Sequence, residues 1–120
     1  MISKLDKLFS SYIRKRDCPN GIGRCISCGA VITQTSGDAG HYIPRAHMAT
    51  RFDERNVNAQ CFNCNRLKNG NLNGYKIGLI VKYGEEIINE LEGLKRSTVK
   101  LSKSDILELI NHYKHDNIKR

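Results

Sequence analysis

Four cysteines fall in two pairs of identical spacing, Cys25-x-x-Cys28 and Cys61-x-x-Cys64. A tight C-x-x-C turn aims both sulfurs at one point, so two such pairs close a tetrahedron around a single Zn²⁺. A disulfide framework is the rival use of four cysteines, and it belongs to oxidising compartments. The N-terminus is charged and polar from its first residues, unlike a secretory signal, and no apolar run is long enough to span a bilayer. The expectation is a cytoplasmic chain with no membrane segment and one structural zinc bound by thiolates. Four thiolates saturate the ion, so any reaction falls to other residues. Cys18 stands outside both pairs and reads as a small free thiol.

Between and just after the knuckles lie the residues with usable chemistry: Asp38, His41, Asn56 and Asn65, with Asn69 and His47 as lesser candidates. An imidazole titrates near neutrality and suits a general base. A histidine on a strand is more often structural, so residue type alone does not decide. His112 and His115 fall on the last helix, away from this group.

Charge adds a second theme. The net charge is +8. Residues 1–24 carry six basic and two acidic side chains, residues 95–120 seven and three, whereas residues 74–94 carry two and four. The basic ends are the footprint expected for a polyanion partner, with a merely solvated surface as the alternative.

These residues need elements to hold them. Leu5, Leu8, Phe9 and Tyr12 recur at helical spacing, so residues 3–15 read as an amphipathic helix that Ser3 would cap. Residues 18–23 read as a turn-rich break, 29–35 and 39–43 as short strands, and 65–69 as a short helix stopped by Gly70. The stretch from Arg45 to Arg55 reads as loop. Residues 74–93 are helical in pattern with a break at Gly84, and Ser102 or Ser104 caps a final helix. The apolar faces of these last helices would cover either the chain's own core or a dimer interface. With 120 residues the chain reads as one domain: an N-terminal helix (1–17), a zinc-stapled core (25–72) and C-terminal helices (74–117). The class is α+β.

The order knuckle, Gly40-His41-Tyr42, Asn56, knuckle, Asn65, Lys68 resembles the HNH (His-Me finger) nucleases, whose core is a ββα-metal unit. Cys61-Phe-Asn-Cys64-Asn65 is similar to phage Holliday-junction resolvases of that class. Leu5-Asp6-Lys7-Leu8-Phe9, Cys25-Ile26-Ser27-Cys28-Gly29, Asp38-Ala39-Gly40-His41-Tyr42, Arg51-Phe52-Asp53-Glu54-Arg55-Asn56 and Gly70-Asn71-Leu72 together resemble the NinG (Rap) recombination proteins of lambda-type phages, as far as about residue 92.

The resemblance implies a DNA endonuclease acting on Holliday junctions or D-loops in the infected host's cytoplasm. His41 would be the general base, and Asn56 would pin the loop behind it. Asp38 and Asn65 would hold one Mg²⁺ or Mn²⁺, and Arg45, Arg51, Arg66 and Lys68 would face DNA. A symmetrical cut implies a homodimer. One departure stands out: many HNH sites carry a metal-binding Asp or His immediately before the base, where this chain has Gly40. Asp38 would reach the ion only through a strand bulge or a bridging water. A non-catalytic zinc module that binds DNA, and a zinc-stabilised protein-interaction domain, are the competing functions.

Overall fold

A computed structural model describes residues 1–119, and side chains through residue 116. The elements run α1 (Ile2–Asp17), β1 (Ile22–Arg24), β2 (Val31–Thr33), β3 (Asp38–His41), α2 (Met48–Arg51), β4 (Val57–Gln60), a π-helical turn (Asn63–Leu67), α3 (Leu72–Tyr83), α4 (Ile87–Lys95) and α5 (Lys103–Lys119).

Leu5, Phe9 and Ile13 recur every fourth residue, which places them on one face of α1. That face is buried against Val57 of β4 and against Ile110 and Tyr113 of α5. The last turn of α1 carries Arg14, Lys15 and Arg16, which complement the negative end of the helix. Ser3 does not cap: the helix starts one residue earlier, with Met1 at the cap position and no side-chain bond. At α5, Ser102 and Asp105 exchange backbone-to-side-chain hydrogen bonds of 3.0 Å each, a reciprocal cap.

Four strands form two antiparallel pairs, where two strands were expected. β1 pairs with β2, and β3 with β4. β1 falls in the segment read as a turn-rich break, and β4 follows the stretch read as loop. Both are too short to display an alternating pattern. All four residues of β4 are buried, so its Asn58 and Gln60 break the apolar signature that marks a buried strand. The β3–β4 register is unbroken, from Asp38 opposite Gln60 to His41 opposite Val57.

α3 and α4 are separated at Gly84, whose φ of +101° ends the first helix. Together with Ile43 they bury Tyr75, Leu79, Ile87 and Leu91 in a second core cluster. The apolar faces of α3–α5 thus cover the chain's own core. Ile77 and Val81 on α3 stay exposed.

α3 also runs tight against the first cysteine knuckle. A Cβ on Gly78 would lie 2.0 Å from the Ile26 carbonyl oxygen, and one on Gly74 would lie 2.3 Å from that of Ser27. Helix propensity favours alanine over glycine by about 1 kcal/mol, but here the overpacking term wins. Gly78→Ala should destabilise the protein by about 2 kcal/mol in urea denaturation. Gly93→Ala on α4, where a Cβ meets nothing within 4 Å, should instead stabilise it by up to about 1 kcal/mol.

A polar hub ties these layers together. Asp17 accepts from Arg16 at 2.8 Å, from the Ala59 N–H at 2.8 Å and from Lys82 at 3.1 Å. Burial acts to raise its pKa, but these donors outweigh burial and hold the carboxyl below its ordinary value. Arg16 also donates to the carbonyls of Glu54 and Val57, so this member of the basic N-terminal run is structural. Among the described residues, no helix is long and apolar enough to cross a membrane.

Candidate metal centre and catalytic cleft

The four paired cysteines converge. Their sulfurs all lie within 4.8 Å of one another, and Cys28 Sγ is 3.8 Å from Cys61 Sγ. Zn–S bonds of about 2.3 Å in a tetrahedron put sulfurs about 3.8 Å apart, so the cluster could hold a metal such as zinc. Its surroundings supply donors to sulfur: the Cys64 N–H points at Cys61 Sγ at 3.3 Å, and Asn71 Nδ2 donates to Cys64 Sγ at 3.3 Å. At Cys25, burial is outweighed by neighbouring backbone N–H groups, which lower the thiol to about 7. Cys18 is fully buried elsewhere, in a small cluster with Ile32 and Ala59.

The first knuckle lies between β1 and β2. The second follows β4 directly and opens the π-helical turn that carries Asn65. Ile26 N–H also bonds the Ala59 carbonyl at 3.0 Å, joining the first knuckle to β4. A metal held by the cysteine cluster would therefore fix the π-helical turn against the β3–β4 ribbon, which carries His41.

His41 and Asn65 line one cleft of about 340 Å³, with Asp6, Phe9, Ser10, Ala39, Pro44, Arg45, Asn69 and Gly70. His41 Nε2 lies 2.9 Å from the Arg51 carbonyl oxygen. A carbonyl only accepts, so Nε2 carries the proton and Nδ1 keeps its lone pair. Burial lowers the His41 pKa, and Arg45 and Arg51 push the same way against the Arg51 carbonyl and Asp6. The ring is thus held neutral with one defined acceptor nitrogen.

Asn56 supports this arrangement from behind. It is fully buried. Its Oδ1 accepts from Ile43 N–H at 2.9 Å, and its Nδ2 donates to the carbonyls of Ile43 at 3.0 Å and Thr50 at 3.1 Å. These bonds clamp both ends of the segment 43–50, which leads into the Arg51 carbonyl. Tyr75 of α3 steadies the strand itself, donating to the Gly40 carbonyl at 2.6 Å.

Asp38 sits differently from a direct cation ligand. The β3–β4 register contains no bulge. Arg66 holds both carboxylate oxygens, at 3.1 and 3.0 Å, and Asn65 Nδ2 donates to Asp38 Oδ2 at 3.1 Å. The amide of Asn65 is therefore oriented, with Oδ1 turned toward Gly40, 3.1 Å from where a Cβ on that residue would stand.

The basic residues named from sequence divide into two groups. Arg45, Arg66 and Lys68 are exposed. Arg51 is not: its guanidinium makes a two-pronged pair with Asp6, at 3.1 and 2.5 Å, and only 17% of its side chain is accessible. Its site contribution is its carbonyl, held against His41. His47 stands at the N-cap position of α2 without a side-chain capping bond, and it does not line the cleft. Asn69 does line it, with a left-handed φ of 50°.

A second groove of about 610 Å³ shares Asp6, Ser10, Ala39, Arg45 and Asn65 with the first, and adds Lys7, Arg14, Asp38 and Arg66. Lys7 and Arg14 escaped the residue-level reading. They are seven apart on α1, two turns along one face, and that spacing was the available signal.

Residues 1–120 match the family model described as the Bacteriophage Lambda NinG protein. Proteins named ninG from Escherichia phage 933W, Escherichia phage lambda and Salmonella phage P22 are 41%, 40% and 40% identical to it over 92 residues. Those matches cover 76% of this chain but only 44%, 43% and 43% of the relatives, so the chain spans less than half of their length. No solved structure matches it. A matched family model over the full chain, with 40% identity to phage relatives, places this protein in the NinG family.

Proposed function

We propose that the chain carries an HNH-type, metal-dependent endonuclease site that hydrolyses phosphodiester bonds in branched DNA, such as Holliday junctions and D-loops. The observation that carries this reading is the placement of His41: Nε2 lies 2.9 Å from the Arg51 carbonyl oxygen, and the ring lines the same cleft as Asn65. His41 Nδ1 takes a proton from water, whose oxygen attacks phosphorus while the bond to the 3′ oxygen breaks, and the leaving oxygen takes a proton from solvent. The products are 5′-phosphate and 3′-hydroxyl ends. An oxygen-ligated Mg²⁺ or Mn²⁺, held by Asn65 with Asp38 behind it, would stabilise charge on the leaving 3′ oxygen. The branched substrate is supported by the resemblance to recombination proteins. A homodimer would place two such sites across a symmetrical junction.

The test is incubation of zinc-loaded protein with four-way-junction and linear DNA plus Mg²⁺ or Mn²⁺, beside His41→Ala protein with the same zinc content. Junction cleavage lost in the variant supports the reading. Equal cleavage by the two sinks the mechanism. Tight binding without any cleavage would instead favour the non-catalytic DNA-binding module.

The groove through Lys7, Arg14, Arg45 and Arg66 is the proposed phosphate track. Each neutralised phosphate contributes about −0.9 to the salt slope of duplex affinity. Lys7→Ala with Arg14→Ala should flatten that slope by about 2 and weaken binding alike for all sequences. Fluorescence anisotropy across a salt series measures it.

A further inference from the structure

Gln60 is the last residue of β4, completely buried, immediately before Cys61. Its Nε2 donates to Ser27 Oγ at 2.8 Å and to the Gly70 carbonyl at 2.8 Å. A carbonyl cannot donate, so the amide cannot be flipped, and Oε1 must sit at the opposite end. That oxygen is the buried side-chain polar atom without a hydrogen-bond partner among the described residues. Buried acceptors are paired with few exceptions, and an exception needs a physical reason.

Its position supplies one. Oε1 lies 1.7 Å from the point where a Cβ on Gly40 would stand, so Gln60 fills the side-chain space that Gly40 leaves open. Asn65 Oδ1 lies 3.1 Å from the same point. The two amide oxygens therefore border one small volume. Asp38 orients one of them by accepting from Asn65 Nδ2, and Gly70 and Ser27 orient the other. Two oriented carbonyl-type oxygens, one of them without a donor, suit a hard divalent cation. Oxygens on one Mg²⁺, at about 2.0–2.1 Å from the ion, stand about 3 Å apart.

We propose that Gln60 Oε1, buried beside Gly40, and Asn65 Oδ1, on the cleft wall, together ligate a divalent cation, with Asp38 as the residue that positions Asn65. Gly40 is glycine because the ligand at this point arrives from the neighbouring strand. This rests on the endonuclease reading for its purpose, but not for its measurement. Both ligands are neutral, so affinity for the ion alone is weak and the substrate phosphate completes the site.

The test uses zinc-loaded, ¹⁵N-labelled full chain titrated with Mn²⁺ alone. The side-chain amide signals of Gln60 and Asn65 should broaden first, and Mg²⁺ should compete. Gln60→Ala should weaken Mn²⁺ binding at Asn65 by tenfold or more while zinc content and the backbone spectrum are retained. Adding Gly40→Asp to Gln60→Ala should recover it, because an oxygen then arrives from residue 40 itself. Early broadening confined to surface carboxylates, or unchanged Mn²⁺ binding in Gln60→Ala, overturns the proposal; Oε1 then merely holds a water. Loss without recovery in the double variant also overturns it, since the tie from Nε2 to Gly70 would then be the whole role of Gln60. Any of these with wild-type junction cleavage intact leaves the endonuclease reading standing. Cation binding as proposed, with no DNA cleaved, would remove that reading instead.

Discussion

Cys64→Ala protein is expected to bind no zinc at micromolar metal and to lose the cooperative melting of residues 25–72. The effect is large because the elements there cannot stand alone. The strands are three or four residues long, in two separate two-stranded ribbons, and an isolated two-stranded ribbon is marginal in water. A structural Zn²⁺ contributes about 10–16 kcal/mol of apparent binding energy in small zinc domains, and that energy is folding energy. Cys64 is also one of the two buried cysteines of the cluster and lies within the π-helical turn, so its loss should free Asn65 from the β3–β4 ribbon. Metal analysis with thermal melts by circular dichroism would check this; one zinc per chain and an unchanged melt would contradict it. A chelator should abolish any cleavage by the same route, so chelation cannot show which metal does chemistry.

His41→Ala is expected to lower junction cleavage by about 10²–10⁴-fold, the usual contribution of a positioned general base, at unchanged zinc content. The pH profile is the sharper measurement. The neutral ring is the active form of a base, so the rate should rise tenfold per pH unit while His41 is protonated and level off above its pKa. Burial lowers that pKa from the ordinary 6.5, with Arg45 and Arg51 acting in the same direction. The plateau should therefore begin below pH 6.5, and cleavage should be nearly pH-independent at neutrality. A rise continuing well past that value would mean that another group accepts the proton. The variant should lose the acidic limb along with the activity.

The cysteine cluster was legible in the chain because its signal is local: two C-x-x-C spacings need only one another to define a tetrahedral site. The apolar face of α1, the break at Gly84 and the cap at Ser102 were legible for the same reason, since each is governed by residues within one or two helical turns. The family was legible from short motifs spread over about 90 residues, and the comparisons bear it out.

Other features depended on chain segments far apart in sequence. Which strands pair was decided by tertiary burial: β4 has polar residues at two of four positions, yet it lies inside because Arg16, Lys82 and Tyr75 meet Asn58 there. Arg51 reads as a cation for DNA until Asp6, 45 residues earlier, is seen to hold it. Asp38 reads as a ligand until Arg66 and Asn65 are seen to occupy its oxygens. The glycine before His41 reads as a missing ligand until Gln60 is found in its place, reaching across from β4. Sequence alone determined which chemistries were present, because residue type and local spacing carry that information. Only the tertiary structure decided which atoms remain free to perform them, because a side chain's partners come from wherever the fold brings the chain together.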